Sequence, residues 1–254
     1  MNGHIERWKG RHSTKDKLRA EVWSTLEAKE AAIGNPWSTI PNFKGSREAA
    51  EQLGKIPEWA NAKVVKCNPD AAQAWIRYNA LSEGKRVYTP VPELVADFPF
   101  LLLDPDLLRE QNISLDRVMY SQGALTNGVR CNFKDLEPID FAVVGCVAVT
   151  EAGGRTGKGA GFADLEMGIF RHYGVLPENV PVATTVHDIQ IVENNLVVME
   201  AHDTPLDYIA TAEKLIATDT KYETPCALEW DKLQPDQYEN IPFLNGLKSE
   251  LQAS

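Results

Sequence analysis

Strands and helices alternate along this chain, and the alternation predicts an α/β fold: an open, mostly parallel sheet covered by helices on both faces. Three observations carry the prediction. Phe141–Thr150 is an unbroken apolar run of the kind found in strands buried on both faces. Shorter apolar runs on either side of it are separated by segments with helical spacing. A glycine-rich stretch follows the long run directly, which places a ligand at the carboxyl edge of the sheet.

The elements read in order as follows. Ser13-Thr-Lys-Asp16 has the chemistry of an N-terminal cap, with Leu18, Val22 and Leu26 recurring behind it, so a helix is expected from about residue 14 to 33. Pro36 and Pro41 end it, and Ser46 opens a second, short helix. Ala62–Cys67 reads as a buried strand. Asn68-Pro69 is a cap followed by proline at the first helical position, opening a helix to about Glu83. Arg86–Pro90 and Phe100–Leu103 are strands, and Ser114–Ser121 starts another helix. After the long apolar run and its glycines, Phe162, Leu165, Ile169 and Tyr173 share one helical face. Val180–Thr185 and Ile189–Val192 are strand-like, and Leu206–Thr211 and Lys214–Thr218 form a final strand pair. Residues 1–218 are read as one domain. The segment 219–254 is an extension packed on it, with Trp230 and Phe243 as packing residues. Gly123–Phe133, just before the central strand, is placed near the active site.

Composition narrows the classes. The chain has 254 residues, 43% hydrophobic, enough for a sizeable core. A net charge of −10 argues against nonspecific nucleic-acid binding, which needs a basic footprint. No run approaches the roughly 18 apolar residues of a membrane helix. Met1–Lys17 is too polar for a signal peptide, so a cytoplasmic protein is expected, as monomer or homodimer. Cys67, Cys131, Cys146 and Cys226 show no metal-ligand spacing, and four buried thiols are expected.

The glycine-rich stretch is Arg155-Thr-Gly-Lys-Gly-Ala-Gly-Phe-Ala-Asp164. Glycine lets backbone N–H groups converge on one point, and the helix that follows offers further unpaired N–H groups to an anion. Arg155 and Lys158 add full charges within reach of phosphate oxygens. The stretch is not a Walker A loop, because Lys158 precedes Gly159 rather than Ser or Thr. It is not a dinucleotide fingerprint either, because Phe162 stands where a third glycine would fall. Phosphate binding is expected, against the plainer reading of a flexible connection. Asp164, in the first turn of the helix, is placed to hold Mg²⁺ beside a phosphate or simply to complement the helix dipole. His187-Asp188 falls near the end of a strand.

Together, the Arg155–Asp164 stretch, the His187-Asp188 pair and Asp207-Tyr-Ile-Ala-Thr211 resemble the 5-formyltetrahydrofolate cyclo-ligase, or methenyltetrahydrofolate synthetase, family over roughly residues 14 to 218. Asn68-Pro-Asp70 and the Gly-Lys-Gly-Ala-Gly-Phe-Ala-Asp core look more like its divergent methenyltetrahydrofolate synthetase domain-containing branch. The resemblance implies a three-layer α/β/α sandwich of the kind shared with phosphosugar isomerases and CoA transferases. It implies ATP and Mg²⁺, with the triphosphate on Arg155, Gly157, Lys158, Gly159, Ala160, Gly161 and Phe162. Lys15 and Arg19 fit the family's Lys-x-x-x-Arg contact to ATP. Asp164 and Asp188 inherit the magnesium roles, and Asp70 and Phe162 face a folate substrate. Lys158, Arg155 and Asp164 carry the catalysis so implied. One departure is specific: the family usually has Gly-Tyr-Tyr-Asp where this chain has Gly161-Phe-Ala-Asp164.

The implied reaction is ATP-dependent cyclisation of 5-formyltetrahydrofolate to 5,10-methenyltetrahydrofolate, with ADP and phosphate released. Two alternatives stay open: a different folate one-carbon enzyme that works without ATP, and a nucleotide- or folate-binding paralogue without catalysis.

Overall fold

The computed structural model describes residues 6–94, 98–226 and 228–252, with side chains through 250. Met1–Ile5, the start of the polar N-terminal stretch, lies outside the described residues.

Helix α1 (Ser13–Ala28) is capped one residue earlier than expected, by the His12 ring, whose Nδ1 accepts the Lys15 N–H at 3.3 Å. It stops at Ala28 rather than near residue 33. Helices α2 (Ser46–Leu53) and α3 (Pro57–Asn61) lead into strand β1 (Val64–Cys67). The helix expected from Asn68-Pro69 begins later, as a single 3₁₀ turn over Ala71–Gln73 followed by α4 (Ala74–Ser82). The reason is Arg77. Its buried guanidinium donates to the carbonyls of Asn68, Pro69 and Asp70, which holds that segment extended.

Strands β2 (Arg86–Pro90) and β3 (Phe100–Leu103) follow as read. Short helices α5 (Pro105–Glu110), α6 (Leu115–Val118) and α7 (Ser121–Asn127) then precede the edge strand β4 (Val129–Cys131).

The long apolar run is not one strand. Strand β5 covers only Phe141–Val143; the chain then leaves the sheet, and β6 (Ala148–Val149) pairs antiparallel with β7 (Arg155–Thr156) in a separate ribbon. Burial alone made the run look continuous. Phe141 and Val143 pack in one core, Ala142, Val144 and Cys146 in a second, and Val147 and Ala148 in a third beside α1. Each stretch is apolar for a different neighbour.

Beyond the loop lie α8 (Phe162–His172), β8 (Val182–Thr185), β9 (Tyr208–Ala210), β10 (Leu215–Ala217), α9 (Pro235–Asn240) and α10 (Leu244–Gln252). Ile189–Val192, expected to be strand-like, opens in a 3₁₀ turn and pairs only through a parallel bridge from Ile191 to Val149, with Val192 N–H donating to Val149 O at 2.8 Å. The Gln190 amide adds bonds to the carbonyls of Cys146 and Val147 at 3.0 and 3.1 Å.

The eight strands of the main sheet are ordered β10-β9-β8-β5-β1-β2-β3-β4. The inner pairs β9/β8, β8/β5, β5/β1 and β1/β2 are parallel, and the outer ones antiparallel. Alternate residues separate the two faces. Val65, Cys67, Val87 and Val143 pack under α2, α3 and α4, while Val64, Tyr88 and Ala142 pack against Met167 and Phe170 of α8. The result is the three-layer α/β/α sandwich. Phe162, Leu165, Ile169 and Tyr173, the helical face read from the sequence, pack against Ile241, Leu244 and Leu247, with Trp230 and Phe243 in the same cluster. The strand order reverses between β1 and β5, and that switch point is where open α/β sheets gather their ligands.

Candidate active site at the switch point

A cleft opens over the carboxyl ends of β1 and β5, lined there by Asn68, Pro69, Asp70 and Gly145. Gly145 is needed for close approach, because a Cβ on it would stand 3.0 Å from Ile40 and 3.1 Å from an Asp70 carboxylate oxygen. From Gly123–Phe133, expected near the site, no residue lines the cleft; Ser121 does.

The glycine loop forms one wall. Side chains of the cleft lining hold its carbonyls. Arg11 donates to Gly159 O and Ala160 O at 3.0 and 2.9 Å, and the Gln237 amide donates to Ala160 O at 3.1 Å. Among the described residues, no acceptor meets the backbone N–H groups of Gly157, Lys158, Gly159, Ala160 or Gly161. Gly161 sits at φ +74°, a left-handed conformation open to glycine at little cost, and so starts α8. The loop therefore presents free donors at a helix N-terminus, the arrangement that binds anions.

The cations gather around it. Lys15 and Arg19, four apart on α1, share a face. The Arg19 guanidinium donates to Gly157 O at 3.4 Å and is held by Asp16 at 2.5 Å. Lys15 Nζ lies 2.6 Å from Asp203 and 3.1 Å from Glu200. Lys158 Nζ lies 3.5 Å from Asp70, which joins the expected phosphate cation to the expected folate carboxylate. Phe162 meets the edge of Trp8 at 5.8 Å.

Arg155 lines the cleft with Asp164. It lies beneath the loop, only 3% exposed, and is bonded to Asp164 and to Thr204 O. Burial opposes its charge, but the carboxylates of Asp164 and Asp203 outweigh burial and raise its pKa above the ordinary arginine value. Its hydrogen bonds brace the start of α8 more than they reach outward. The same Asp164 oxygen accepts the Thr204 N–H at 2.9 Å.

The two His-Asp pairs of the sequence are placed differently. His187 caps a 3₁₀ turn, its Nδ1 accepting Ile189 N–H at 3.1 Å, and Asp188 does not line the cleft. His202-Asp203 does line it. There Glu200, His202 and Asp203 bring one ligand atom each within 4.8 Å of one another. The Lys15 ammonium already sits between the two carboxylates, so their oxygens hold a positive charge as placed. Burial opposes ionisation of Glu200, but the hydrogen bond and charge of Lys15 carry its carboxyl below the ordinary value. The signal in the sequence was the repeat of the dipeptide immediately before Thr204-Pro-Leu-Asp207.

Sequence reasoning also missed the floor. Lys66, fully buried on β1, pairs with Glu166 of α8 at 2.8 Å and donates to Asn68 Oδ1 at 2.8 Å. Burial pushes the Glu166 carboxyl above its ordinary range, with Lys66 working against that shift. A lysine within an apolar strand run and a glutamate on the buried side of α8 were the visible signs. Cys67, Cys131 and Cys146 are buried, and burial raises each thiol, so none is an activated nucleophile; Cys226 is exposed, against the expectation of four buried thiols. Among the described residues no helix is long and apolar enough to cross a membrane.

Comparison with known proteins agrees with this architecture. The sequence profile of the 5-formyltetrahydrofolate cyclo-ligase family matches residues 11–212. Human methenyltetrahydrofolate synthase domain-containing protein is 33% identical over 94% of this chain, and the bovine protein 32% over 93%. The chain spans 62% of the length of each. The NMR structure of 5,10-methenyltetrahydrofolate synthetase from Aquifex aeolicus superposes with a TM-score of 0.51 at 18% identity, covering 85% of this chain and 96% of that one.

Proposed function

We propose an ATP-dependent folate cyclisation for this chain, which belongs to the 5-formyltetrahydrofolate cyclo-ligase family. The observation that carries the proposal is the glycine loop. The carbonyls of Gly157, Gly159 and Ala160 are taken by side chains, its amides are free, and Lys15, Arg19 and Lys158 stand around it.

Closing the formamide of 5-formyltetrahydrofolate onto N10 must expel oxygen, a poor leaving group. In the proposed sequence the formyl oxygen attacks the γ-phosphorus of ATP and ADP departs. N10 then adds to the activated carbon and loses its proton, and phosphate leaves to give 5,10-methenyltetrahydrofolate. Such chemistry asks the protein for positioning and charge neutralisation. The loop amides and Lys158 would cradle the phosphates, Lys15 and Arg19 would flank them, and Asp70 would orient the folate. Arg155 would keep Asp164 in place.

Magnesium fits the oxygen donors of Asp164, Glu200 and Asp203 better than Asp188, which stands outside the cleft. Bound there, it would neutralise charge on phosphate oxygens. Lys15 would then exchange its carboxylate partners for a phosphate.

The decisive assay follows methenyltetrahydrofolate absorbance from 5-formyltetrahydrofolate, with and without ATP and Mg²⁺. Product in step with ADP is expected. Product without ATP would favour an ATP-independent folate enzyme on the same scaffold. A second reading, a binding paralogue without catalysis, is favoured by Ala163, which lines the cleft where the family usually carries a tyrosine. Binding of both ligands with no product would establish it.

A further inference from the structure

The family match ends at residue 212, yet the cleft does not. Pro225, Leu228, Lys232, Leu233, Gln234 and Gln237 line it as well. The segment they belong to is not loosely apposed. Leu228 rests on α8 so closely that a Cβ on Gly168 would lie 3.2 Å from the Leu228 Cα. Leu228 and Leu233 belong to the apolar cluster of Leu165 and Ile169, with Phe162 at its border. Gln237, 5% exposed, reaches the glycine loop at Ala160 O, and Asp236 pairs with Arg11, which binds the same carbonyl.

Chemistry separates this segment from the rest of the lining. The loop and α1 supply amides and cations, which suit phosphate. Pro225, Leu228 and Leu233 supply carbon beside Phe162, with Glu229 and Lys232 as the charged members of the same stretch, and apolar carbon suits a flat ring rather than a triphosphate. It stands, moreover, beside Phe162-Ala163, where the resembling family usually carries two tyrosines.

We propose that residues 228–237 form the substrate-specificity wall of the cleft, with Leu228 and Leu233 seating the ring system of a reduced pterin and Gln237 fixing the wall to the glycine loop. The inference rests on the folate reading above and deepens it. Leu228 and Leu233 are specificity residues, and Gln237 is a positioning residue.

The test uses the full chain carrying Leu233→Asp, Leu233→Met or Gln237→Ala, with direct binding of 5-formyltetrahydrofolate and of a non-hydrolysable ATP analogue measured beside turnover. A carboxylate against the ring should weaken folate binding about tenfold or more, while nucleotide binding changes less than about twofold. Leu233→Met should restore folate binding, since it conserves volume and apolarity. Gln237→Ala should raise the KM for both ligands, because it loosens the loop and the wall together.

Equal losses for folate and nucleotide in Leu233→Asp, or an unchanged folate affinity, would overturn the wall. Absence of turnover by the wild-type chain, with folate binding still sensitive to Leu233→Asp, would overturn the cyclisation and leave the wall standing. No folate binding by the wild-type chain would overturn both.

Discussion

Two lysines of this cleft hold carboxylates, and they do so under opposite conditions. At the floor, Lys66 and Glu166 meet in the sandwich interior, 0% and 3% exposed at their side chains. At the rim, Lys15 meets Glu200 and Asp203 at 11% exposure, beside a glutamate that is 40% exposed. The floor pair cannot separate without leaving an uncompensated charge in a dry interior. The rim cluster faces the cleft, where water or a ligand can replace a partner. One ion pair fixes the site and the other can exchange.

The sharpest way to break this contrast is to remove one member of the floor pair. Lys66→Met should cost on the order of 3–5 kcal/mol, because Glu166 is left buried and unpaired, whereas Lys66→Met with Glu166→Leu should recover most of that loss. Denaturant unfolding of the single and double variants decides it, and equal destabilisation in both would show that the pair is needed as such. Next in size is Lys158→Ala, which should raise the KM for ATP about tenfold or more with the melting temperature nearly unchanged, since a partly exposed loop lysine contributes little to a core. A large drop in melting temperature would make Lys158 structural instead.

Lys15→Ala should cost less stability than Lys66→Met yet impair ATP use, because Asp203, 9% exposed at its side chain, keeps the Glu200 N–H as a partner and Glu200 faces water. Unimpaired turnover would remove Lys15 from the site. The smallest expected effect is in the acid limb. The Glu200 carboxyl lies below its ordinary value, so its contribution to stability is present above the unfolded-state pKa and is lost as pH falls through the lower folded-state value. Glu200→Gln should flatten that part of the stability profile, read from melting temperatures across the acidic range.

The same contrast explains what could be read from the sequence. Strands β2, β3 and β8 and helix α8 follow from local pattern, since alternation and helical spacing are written in neighbouring residues. The glycine loop was legible for the same reason. What was not legible depended on partners far along the chain. Nothing near Val143 says that its strand stops there, because the residues after it stay apolar to fill two other cores. Nothing local distinguishes His187-Asp188 from His202-Asp203; only the fold turns one toward Ile189 and the other toward Lys15. The Lys66–Glu166 pair spans a hundred positions, and the bond from Arg155 to Thr204 O spans forty-nine.

Arg11 and Gln237 grip the glycine loop from segments more than two hundred positions apart. During synthesis the chain emerges from its N-terminus, so Arg11 is available long before the loop, and Gln237 only long after it. The sheet, from β1 to β10, can be complete while the loop still lacks one of its two supports. Whatever the cleft binds, the grip of Gln237 on its glycine loop is acquired only after every strand of the sheet has been made.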